Sequence, residues 1–184
     1  MKRNLFIISG PSGAGEDTIM KALQEKKDFK KVVTTTTRAM RKNETEGDPY
    51  YFLSKEEFKD GISDGRFFEY VIEDNGNYYG NTYEEIERVR KSDDRFLMKL
   101  EYKGVITYKE IFPEAVSIMI DAPWEELEGR IRKRDKVSEA FVQGRADYAK
   151  GWYQNKDKFD HIVENRNGQL EEAIQNTLDI INSY

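Results

Sequence analysis

The sequence contains no cysteine, only one histidine and no long hydrophobic run. Without thiols the chain can form neither disulfides nor thiolate metal sites, and a reducing compartment suits it, so we expect a cytoplasmic protein. The first apolar run covers only residues 5–8, which is too short for the core of a signal peptide or for a membrane span. We therefore expect no association with a membrane.

Charge of one sign is not in great excess, because 30 lysines and arginines stand against 35 aspartates and glutamates, for a net charge of −5. A general nucleic-acid-binding protein needs a basic surface that neutralises phosphates. The composition thus predicts no nucleic-acid partner. Small phosphorylated ligands remain compatible with it, since they require only local clusters of arginine or lysine.

Four short apolar runs lie at residues 5–8, 96–98 with Leu100, 116–120 and 162–163. Continuous apolar runs, as opposed to alternating ones, are typical of strands that a parallel sheet buries on both faces. Helical periodicity lies between or after these runs, most clearly in residues 170–181. Strands that alternate with helices predict βαβ units and hence an α/β fold with an open parallel sheet.

Two stretches depart from this alternation. Residues 34–90 are rich in threonine, tyrosine, glycine and charge, and their short β-like pieces predict an inserted mixed α/β subdomain with a hairpin at residues 76–81. Residues 125–154 hold several arginines and lysines and a predicted helix that runs from Ser138 past Trp152. The core would then comprise residues 1–33, 91–124 and 155–184.

A glycine-rich loop, GPSGAGEDT, runs from Gly10 to Thr18 directly after the first predicted strand. Small residues allow backbone N–H groups to surround a phosphate, and the predicted helix that follows presents its positive N-terminus. Both glycines of the phosphate-loop (P-loop) pattern GxxxxGK[ST] are matched, but Glu16 replaces the lysine and Asp17 replaces the hydroxyl residue that binds Mg²⁺. Thr18 offers a hydroxyl one residue later. By itself the loop is equally compatible with a turn that binds no ligand.

The second informative segment, residues 34–52, contains Arg38 and Arg41, with threonine hydroxyls before them and Tyr50 after them. Two guanidinium groups and a phenol could clamp one phosphate dianion. Further along, Glu69 is a lone carboxylate beside two phenylalanines, and its two oxygens suit a pair of N–H groups such as the N1/N2 edge of guanine. The alternatives are a solvated charged face for the arginines and an exposed strand end for the glutamate.

The motifs TTRxxR, ExxG before YxF, FxE and GNYYG follow one another between residues 36 and 80. In this order and at these intervals they resemble the guanylate kinase family, and the resemblance covers nearly the whole chain. It implies a P-loop NTPase-type parallel sheet core, with residues 34–90 as the nucleoside-monophosphate-binding subdomain and residues 125–154 as a helical lid. It also implies the reaction ATP + GMP → ADP + GDP, with Mg²⁺ bridging the donor phosphates and no covalent intermediate.

By the same resemblance, GMP is bound by one cluster that holds its phosphate and another that contacts its base. The phosphate cluster comprises Arg38, Arg41, Tyr50 and Tyr79. The base cluster comprises Thr34, Glu69 and Asn81, and Glu101 is a further residue expected to bind the substrate. Thr34 replaces the family's usual serine but keeps its hydroxyl, whereas Asn81 stands where the family has serine or threonine, so the base edge would be read differently.

The resemblance also implies which residues bind ATP and promote transfer, since positive charge and positioning supply most of the catalysis of phosphoryl transfer. The donor nucleotide is expected at Gly10, Ser12, Gly13, Ala14, Gly15, Glu16, Asp17 and Thr18 of the loop and at Arg130 and Arg134 of the lid. The metal ion is expected at Asp17 and Thr18. The predicted catalytic residues are Arg134, Arg145, Arg41 and Lys99.

Lys99 is counted among the predicted catalytic residues because the charges at positions 16 and 99 are reversed relative to the family. The family has lysine at the position of Glu16 and an acid at the position of Lys99. The carboxyl ends of neighbouring parallel strands lie beside the phosphate loop, so the two residues could form a swapped ion pair that brings the Lys99 ammonium to the donor phosphates. Two unrelated substitutions are the competing interpretation.

Two other functions remain open at the level of sequence. Asn81 and Lys99 favour a kinase of the same fold that acts on a different nucleotide or on a phosphorylated sugar. The altered phosphate loop favours a binding module without catalysis. In the main interpretation we expect GMP and ATP as small-molecule partners, and a monomer or homodimer.

Overall fold

The computed structural model describes residues 3–26, 29–73, 75–134 and 137–184, without the side chains of Pro49 and Arg134. The chain forms two compact units, Met1–Lys30 with Arg95–Tyr184 and, separately, Lys31–Asp94. In chain order the elements are β1 (Leu5–Ser9), α1 (Glu16–Lys26), β2 (Phe29–Lys31), β3 (Thr34–Thr36), β4 (Thr45–Glu46), β5 (Pro49–Phe52), α2 (Lys55–Ser63), β6 (Phe67–Ile72), β7 (Tyr78–Thr82), α3 (Tyr83–Lys91), β8 (Arg95–Lys99), α4 (Tyr102–Ile111), β9 (Val116–Asp121), α5 (Trp124–Arg134), α6 (Glu139–Gln154), β10 (His161–Glu164) and α7 (Leu170–Asn182).

The first unit is built on a five-stranded sheet with the order β10-β9-β1-β8-β2. β1 pairs in parallel with β8 and β9, and β10 pairs in parallel with β9. All five residues of β1 are fully buried, because β1 lies between two parallel neighbours in a sheet that helices cover on both faces. The four predicted apolar runs thus form four of the five strands, and the predicted α/β fold class is confirmed.

Helices α1, α5 and α7 supply one continuous hydrophobic core together with β1 and its neighbours. Ile19 and Leu23 of α1, Leu127 of α5 and Ile174 of α7 belong to this core and are buried. The spacing of four between Ile19 and Leu23 places both side chains on one face of α1, as helical periodicity requires. α4 also contacts β1, so β1 is packed between helices and its neighbouring strands.

The second unit is a mixed five-stranded sheet, ordered β4-β5-β3-β7-β6, with helices α2 and α3. β3 pairs in parallel with β5 and antiparallel with β7, and β6 pairs antiparallel with β7. Ser54 caps α2 in a capping box with Glu57, and Thr82 caps α3. This arrangement matches the predicted inserted mixed α/β subdomain.

The hairpin in this unit begins earlier than the predicted residues 76–81. The turn lies between Glu73 and Asn77, whose backbone groups are joined by a hydrogen bond of 2.9 Å, and residues 78–82 already belong to β7. Gly76 provides the positive φ of 77° that the turn requires. The aromatic pair that follows favours extended backbone, so it continues the strand.

Among the described residues, no helix is both long and apolar enough to cross a membrane.

Candidate active site

The phosphate loop connects β1 to α1 and is shaped by glycines. Gly13 and Gly15 have φ values of 89° and 93°, in the left-handed region that glycine adopts without strain. A Cβ atom on Gly15 would lie 2.6 Å from Asn165 Nδ2, and one on Gly10 would lie 2.5 Å from the carbonyl oxygen of Ile120. The glycines that the sequence pattern singled out are therefore required by the backbone of this loop.

Two side chains hold the loop from outside. Arg130, in α5, donates to the carbonyl oxygens of Gly13 at 3.1 Å and Asn165 at 2.7 Å, and forms a salt bridge of 3.1 Å with Glu126. Asn165 Nδ2 donates to the carbonyl oxygen of Ala14 at 2.7 Å. Arg130 and Asn165 thus each bind one carbonyl group of the loop and brace it. The role of Arg130 at the donor nucleotide stays a prediction.

Lys99 is the last residue of β8, in register with Ile8 of β1. Its ammonium forms a salt bridge of 2.6 Å with Asp17 Oδ1, and the two side chains are 45% and 75% exposed. The predicted ion pair between Lys99 and Glu16 is therefore corrected, since the partner is the next residue along the chain. Successive side chains of a helix point about 100° apart, so only Asp17 of the two acids in the first turn of α1 forms the ion pair with the lysine.

Glu16 remains next to this ion pair, in a partly buried position. Burial raises the pKa of its carboxyl group, and the neighbouring charges of Asp17 and Glu101 add to the increase, while a hydrogen bond to its own backbone and the charge of Lys99 oppose it. A cavity of about 140 Å³ opens here, lined by Gly10, Glu16, Lys99, Leu100 and Glu101. Two carboxylates and one ammonium group thus line the cavity beside the loop at which the sequence pattern predicts bound phosphate.

Few side chains near the phosphate loop could bind a metal ion. No group of three or more His, Asp or Glu side chains within the described ranges could hold a metal ion. Asp17 and Thr18 are both exposed in the first turn of α1. Mg²⁺ usually keeps several waters and takes one or two carboxylates together with substrate phosphates. One exposed carboxylate and one hydroxyl fit that requirement, with phosphate supplying the rest.

The predicted lid consists of α5 and α6, which Arg132 ties together. Its guanidinium donates to both carboxylate oxygens of Glu139 at 2.6 and 2.7 Å and to Glu128 at 2.9 Å. The guanidinium of Arg145, in α6, lies 4.9 Å from the centre of the Phe141 ring, which is a cation–π contact.

Arg134 is the last residue of α5, and its side chain falls outside the part of the chain that the structure describes. Tyr148 of α6 lies beside Glu101: burial, and then the charge of that carboxylate, raise the pKa of the tyrosine to about 12. Glu101 immediately precedes α4. Glu101, which is predicted to bind substrate, is thus hydrogen-bonded to Tyr148 of α6 and lines the cavity beside the phosphate loop.

In the second unit, strand register aligns most of the predicted acceptor residues on one face of the sheet. Thr34 of β3 lies opposite Tyr50 of β5. Thr36, two residues along β3 and so on the same face, lies opposite Tyr79 of β7. The Tyr50 and Tyr79 rings meet edge to face with centroids 5.9 Å apart. The phenols predicted to hold the GMP phosphate are therefore neighbours.

The three residues predicted at the guanine base form a hydrogen-bonded chain on the same sheet. Asn81 Nδ2 donates to Glu69 Oε1 at 2.8 Å, and Thr34 Oγ1 lies 3.4 Å from Asn81 Oδ1. Burial raises the pKa of Glu69, and the hydrogen bond from Asn81 partly offsets this increase. Asn81 is 5% exposed, so it serves to orient the glutamate.

The two acceptor arginines differ in their surroundings. Arg38 is held by Glu44 at 2.7 Å and lies 5.3 Å over the ring of Tyr50. Hydrogen bonds from Arg38 and from the backbone N–H of Arg41 lower the pKa of Glu44. Arg41 is exposed, and in the described ranges its guanidinium has no hydrogen-bond partner. One guanidinium is thus positioned by a carboxylate, while the other is available to an anion.

A larger cavity, of about 540 Å³, lies in the same unit but holds none of the predicted site residues. Its walls include Thr35 and Tyr51, which alternate with Thr34 and Tyr50 and so face the opposite side of the sheet. The nearly buried Glu85 lines it and accepts a hydrogen bond of 2.7 Å from the Val33 backbone. The carboxylate of Glu85 is therefore already paired within the fold, with the Val33 backbone and with Arg88.

Sequence reasoning missed Asn165 and the role of Glu44. Asn165 directly follows β10, and polar residues at the carboxyl ends of parallel strands are a signal that could have identified it. Glu44 belongs to the ExxG motif that supported the resemblance, but its pairing with Arg38 depends on the turn between β3 and β4, which periodicity does not reveal.

A strand, a glycine-rich loop and a helix at the centre of a parallel sheet, with a mixed α/β unit inserted into the chain, define a phosphate-binding α/β protein of the P-loop class. The family model for guanylate kinase matches residues 2–184. The chain therefore belongs to the guanylate kinase family, and the resemblance inferred from its motifs is confirmed.

Individual relatives agree with this assignment. The guanylate kinase of Fusobacterium nucleatum is 34% identical over 178 residues, with 96% of this chain and 95% of that protein covered. The guanylate kinase of a Nostoc species is 38% identical, with 93% and 85% covered. The crystal structure of guanylate kinase from Anaplasma phagocytophilum is similar with a TM-score of 0.64, at 29% identity over 97% of this chain and 84% of that one.

The raised pKa of Glu69 predicts a dependence of stability on pH. Its folded pKa lies above the value in the unfolded chain, so ionised Glu69 lowers the free energy of unfolding once the pH exceeds both values. Replacement by glutamine removes this cost and keeps an acceptor for Asn81. We expect Glu69→Gln to raise Tm at pH 7, and the gain to vanish below about pH 4, where glutamate is protonated in both states.

Thermal unfolding at a series of pH values measures this difference. Glu73→Gln is the matched control, because Glu73 is exposed just past the end of the same strand, and its Tm should change little. An unchanged or lower Tm of Glu69→Gln at pH 7 would contradict the assignment of a destabilising carboxylate.

Proposed function

We propose that this chain transfers the γ-phosphoryl group of ATP to GMP and releases ADP and GDP. Membership of the guanylate kinase family supports the reaction class. The observation that carries the choice of acceptor is the hydrogen-bonded chain of Thr34, Asn81 and Glu69. It lies on the same sheet as Tyr50 and Tyr79, and the guanidinium of Arg38 lies over the Tyr50 ring.

Glu69 is proposed to accept hydrogen bonds from N1–H and the N2 amino group of guanine. A carboxylate has two acceptor oxygens and no donor when ionised, so it suits guanine and finds no matching pair on adenine. Asn81 already donates to one oxygen of this carboxylate, which fixes the plane in which the other groups approach. Thr34 adds a hydroxyl beside the same edge, and Glu101 is proposed as a further contact.

The phosphate of GMP is proposed to bind Arg41, Arg38, Tyr50 and Tyr79. The exposed guanidinium of Arg41 is the strongest candidate, because charge-assisted bonds to phosphate are about twice as strong as neutral ones. Arg38 is already oriented by Glu44 and by the Tyr50 ring. Its remaining N–H groups, together with the two phenols, would complete the phosphate cluster.

ATP is proposed to bind the loop from Gly10 to Thr18, with its phosphates at the backbone N–H groups and at the N-terminus of α1. Asp17 and Thr18 would hold Mg²⁺, which supplies neutralisation of phosphate charge. Arg134 and Arg145 would stabilise the charge that develops on the transferring group, while Arg130 braces the loop. Transfer is direct and in line, so no residue of the chain forms a covalent intermediate.

The second candidate is a nucleotide-binding protein without turnover, and the carboxylates of the phosphate loop favour it. A negative charge about 4 Å from a phosphate costs up to about 4 kcal/mol at an effective dielectric constant near 20. Each 1.4 kcal/mol corresponds to about tenfold in rate, so Glu16 without compensation would slow transfer greatly. A different phosphorylated acceptor is the remaining alternative, favoured by Asn81. A cytoplasmic location and a monomer or homodimer stay predictions from the sequence.

Arg41→Ala tests the phosphate cluster. Because the variant loses a guanidinium that no described residue satisfies, we expect GMP binding to weaken by about 1.5–3 kcal/mol, the worth of a hydrogen bond to a charged group. Calorimetric titration with GMP measures the change. Arg90→Ala is the control, since it removes another exposed arginine of the same unit, one paired with Glu87, and should leave the affinity unaltered.

Glu69→Gln tests base recognition in the same titration. We expect the variant to lose more affinity for GMP than for AMP, because adenine offers no pair of donors to the carboxylate. Equal losses for the two nucleotides would remove Glu69 from the base site. Binding of CMP, UMP or a sugar phosphate by the unmodified chain, with no binding of GMP, would refute guanine as the acceptor base.

A further inference from the structure

The phosphate loop carries its charges in an unusual arrangement. Glu16 and Asp17 occupy the first turn of α1, where a phosphate-binding loop of the matched pattern has lysine and a hydroxyl residue. Acids at a helix N-terminus stabilise the helix through its dipole. The same acids repel a polyphosphate, so this loop needs a cation from elsewhere if it is to bind one.

The sheet brings a lysine to this position. Lys99 ends β8 directly beside Ile8 of β1, and the Ser9 hydroxyl donates to the carbonyl oxygen of Leu100, which fastens the two strand ends together. The Lys99 side chain lines the same small cavity as Gly10 and the carboxylates of Glu16 and Glu101. It is the one cationic side chain among the described residues that line this cavity.

The contact between Lys99 and Asp17 is open to exchange. The side chains of Lys99 and Asp17 are 45% and 75% exposed, and exposed ion pairs contribute little stability because water competes for each charge. A phosphate oxygen is a strong acceptor for an ammonium group. The ammonium can therefore leave Asp17 for a bound phosphate with little loss of stability.

We propose that Lys99 is the residue through which this loop binds the phosphates of the donor nucleoside triphosphate, with Asp17 holding the ammonium in place until the nucleotide arrives. The proposal rests on the proposed function, because it requires the donor to occupy the loop from Gly10 to Thr18. It makes Lys99 a substitute, from a neighbouring strand, for the lysine that the loop lacks.

The experiment measures binding of ATP with Mg²⁺, and binding of GMP separately, by calorimetric titration of the full chain. Lys99→Ala should weaken ATP binding at least tenfold and leave GMP binding within about twofold. Lys99→Arg keeps the positive charge and should retain most of the affinity for ATP. Lys21→Ala is the matched control, since Lys21 is an exposed lysine of α1 paired with Glu25 at 4.0 Å, and its affinity for ATP should stay within about twofold.

A second substitution tests whether the position of the cation matters. In the Lys99→Ala background, Glu16→Lys returns an ammonium to the loop itself and should recover ATP binding. In the unmodified background, the same substitution places a second ammonium beside Lys99 and should increase binding by less. Thermal unfolding of each variant verifies that the chain is folded.

Unchanged ATP affinity in Lys99→Ala, with GMP binding intact, would overturn the role of Lys99 and leave the proposed acceptor site standing. Absence of ATP binding by the unmodified chain would overturn it as well, because that chain carries the lysine. Absence of GMP binding by the unmodified chain would instead contradict the proposed function, whatever the lysine variants show.

Discussion

The parallel pairing of β1 with β8 and β9 is the constraint on which the donor side of this protein depends. It aligns Ile8 with Lys99 and Ser9 with Met119, so the carboxyl ends of three strands open at one edge. The glycine-rich loop leaves β1 at that edge, and Lys99 arrives from β8. A shift of the register by one residue would turn these side chains to the other face of the sheet.

The pairing of these strands also decides which charged side chains meet at the phosphate loop. The acids at the start of α1 satisfy the helix dipole but oppose phosphate, and the cation that faces them comes from a strand that is distant in sequence and adjacent in the sheet. In the second unit, burial raises the pKa of Glu69, the carboxylate proposed to bind guanine. Its ionised form therefore lowers the stability of the fold. In both units, a carboxyl group whose pKa is raised by burial lies where ligand binding is proposed.

Much of the fold could be predicted because it depends on local patterns. Buried apolar runs identified the core strands, and helical spacing identified the last helix, which spans Leu170–Asn182. Predictions that depended on tertiary geometry were less accurate: the partner of Lys99 is Asp17 and not Glu16, since the phase of α1 decides which acid lies beside the lysine. The bracing by Asn165 and the pairing of Arg38 with Glu44 were missed because they join residues through loops.

We propose that this chain still transfers a phosphoryl group to GMP, although Glu16 and Asp17 stand where the phosphate-loop pattern has lysine and a hydroxyl residue. Phosphorus NMR of the purified chain with ATP, GMP and Mg²⁺ tests this most directly, because it follows donor and acceptor in one sample. We predict that ADP and GDP appear in equal amounts, and only when GMP is present. Formation of no GDP above that in a sample without the protein, although calorimetry detects GMP binding, would contradict the claim and identify the chain as a nucleotide-binding protein without turnover.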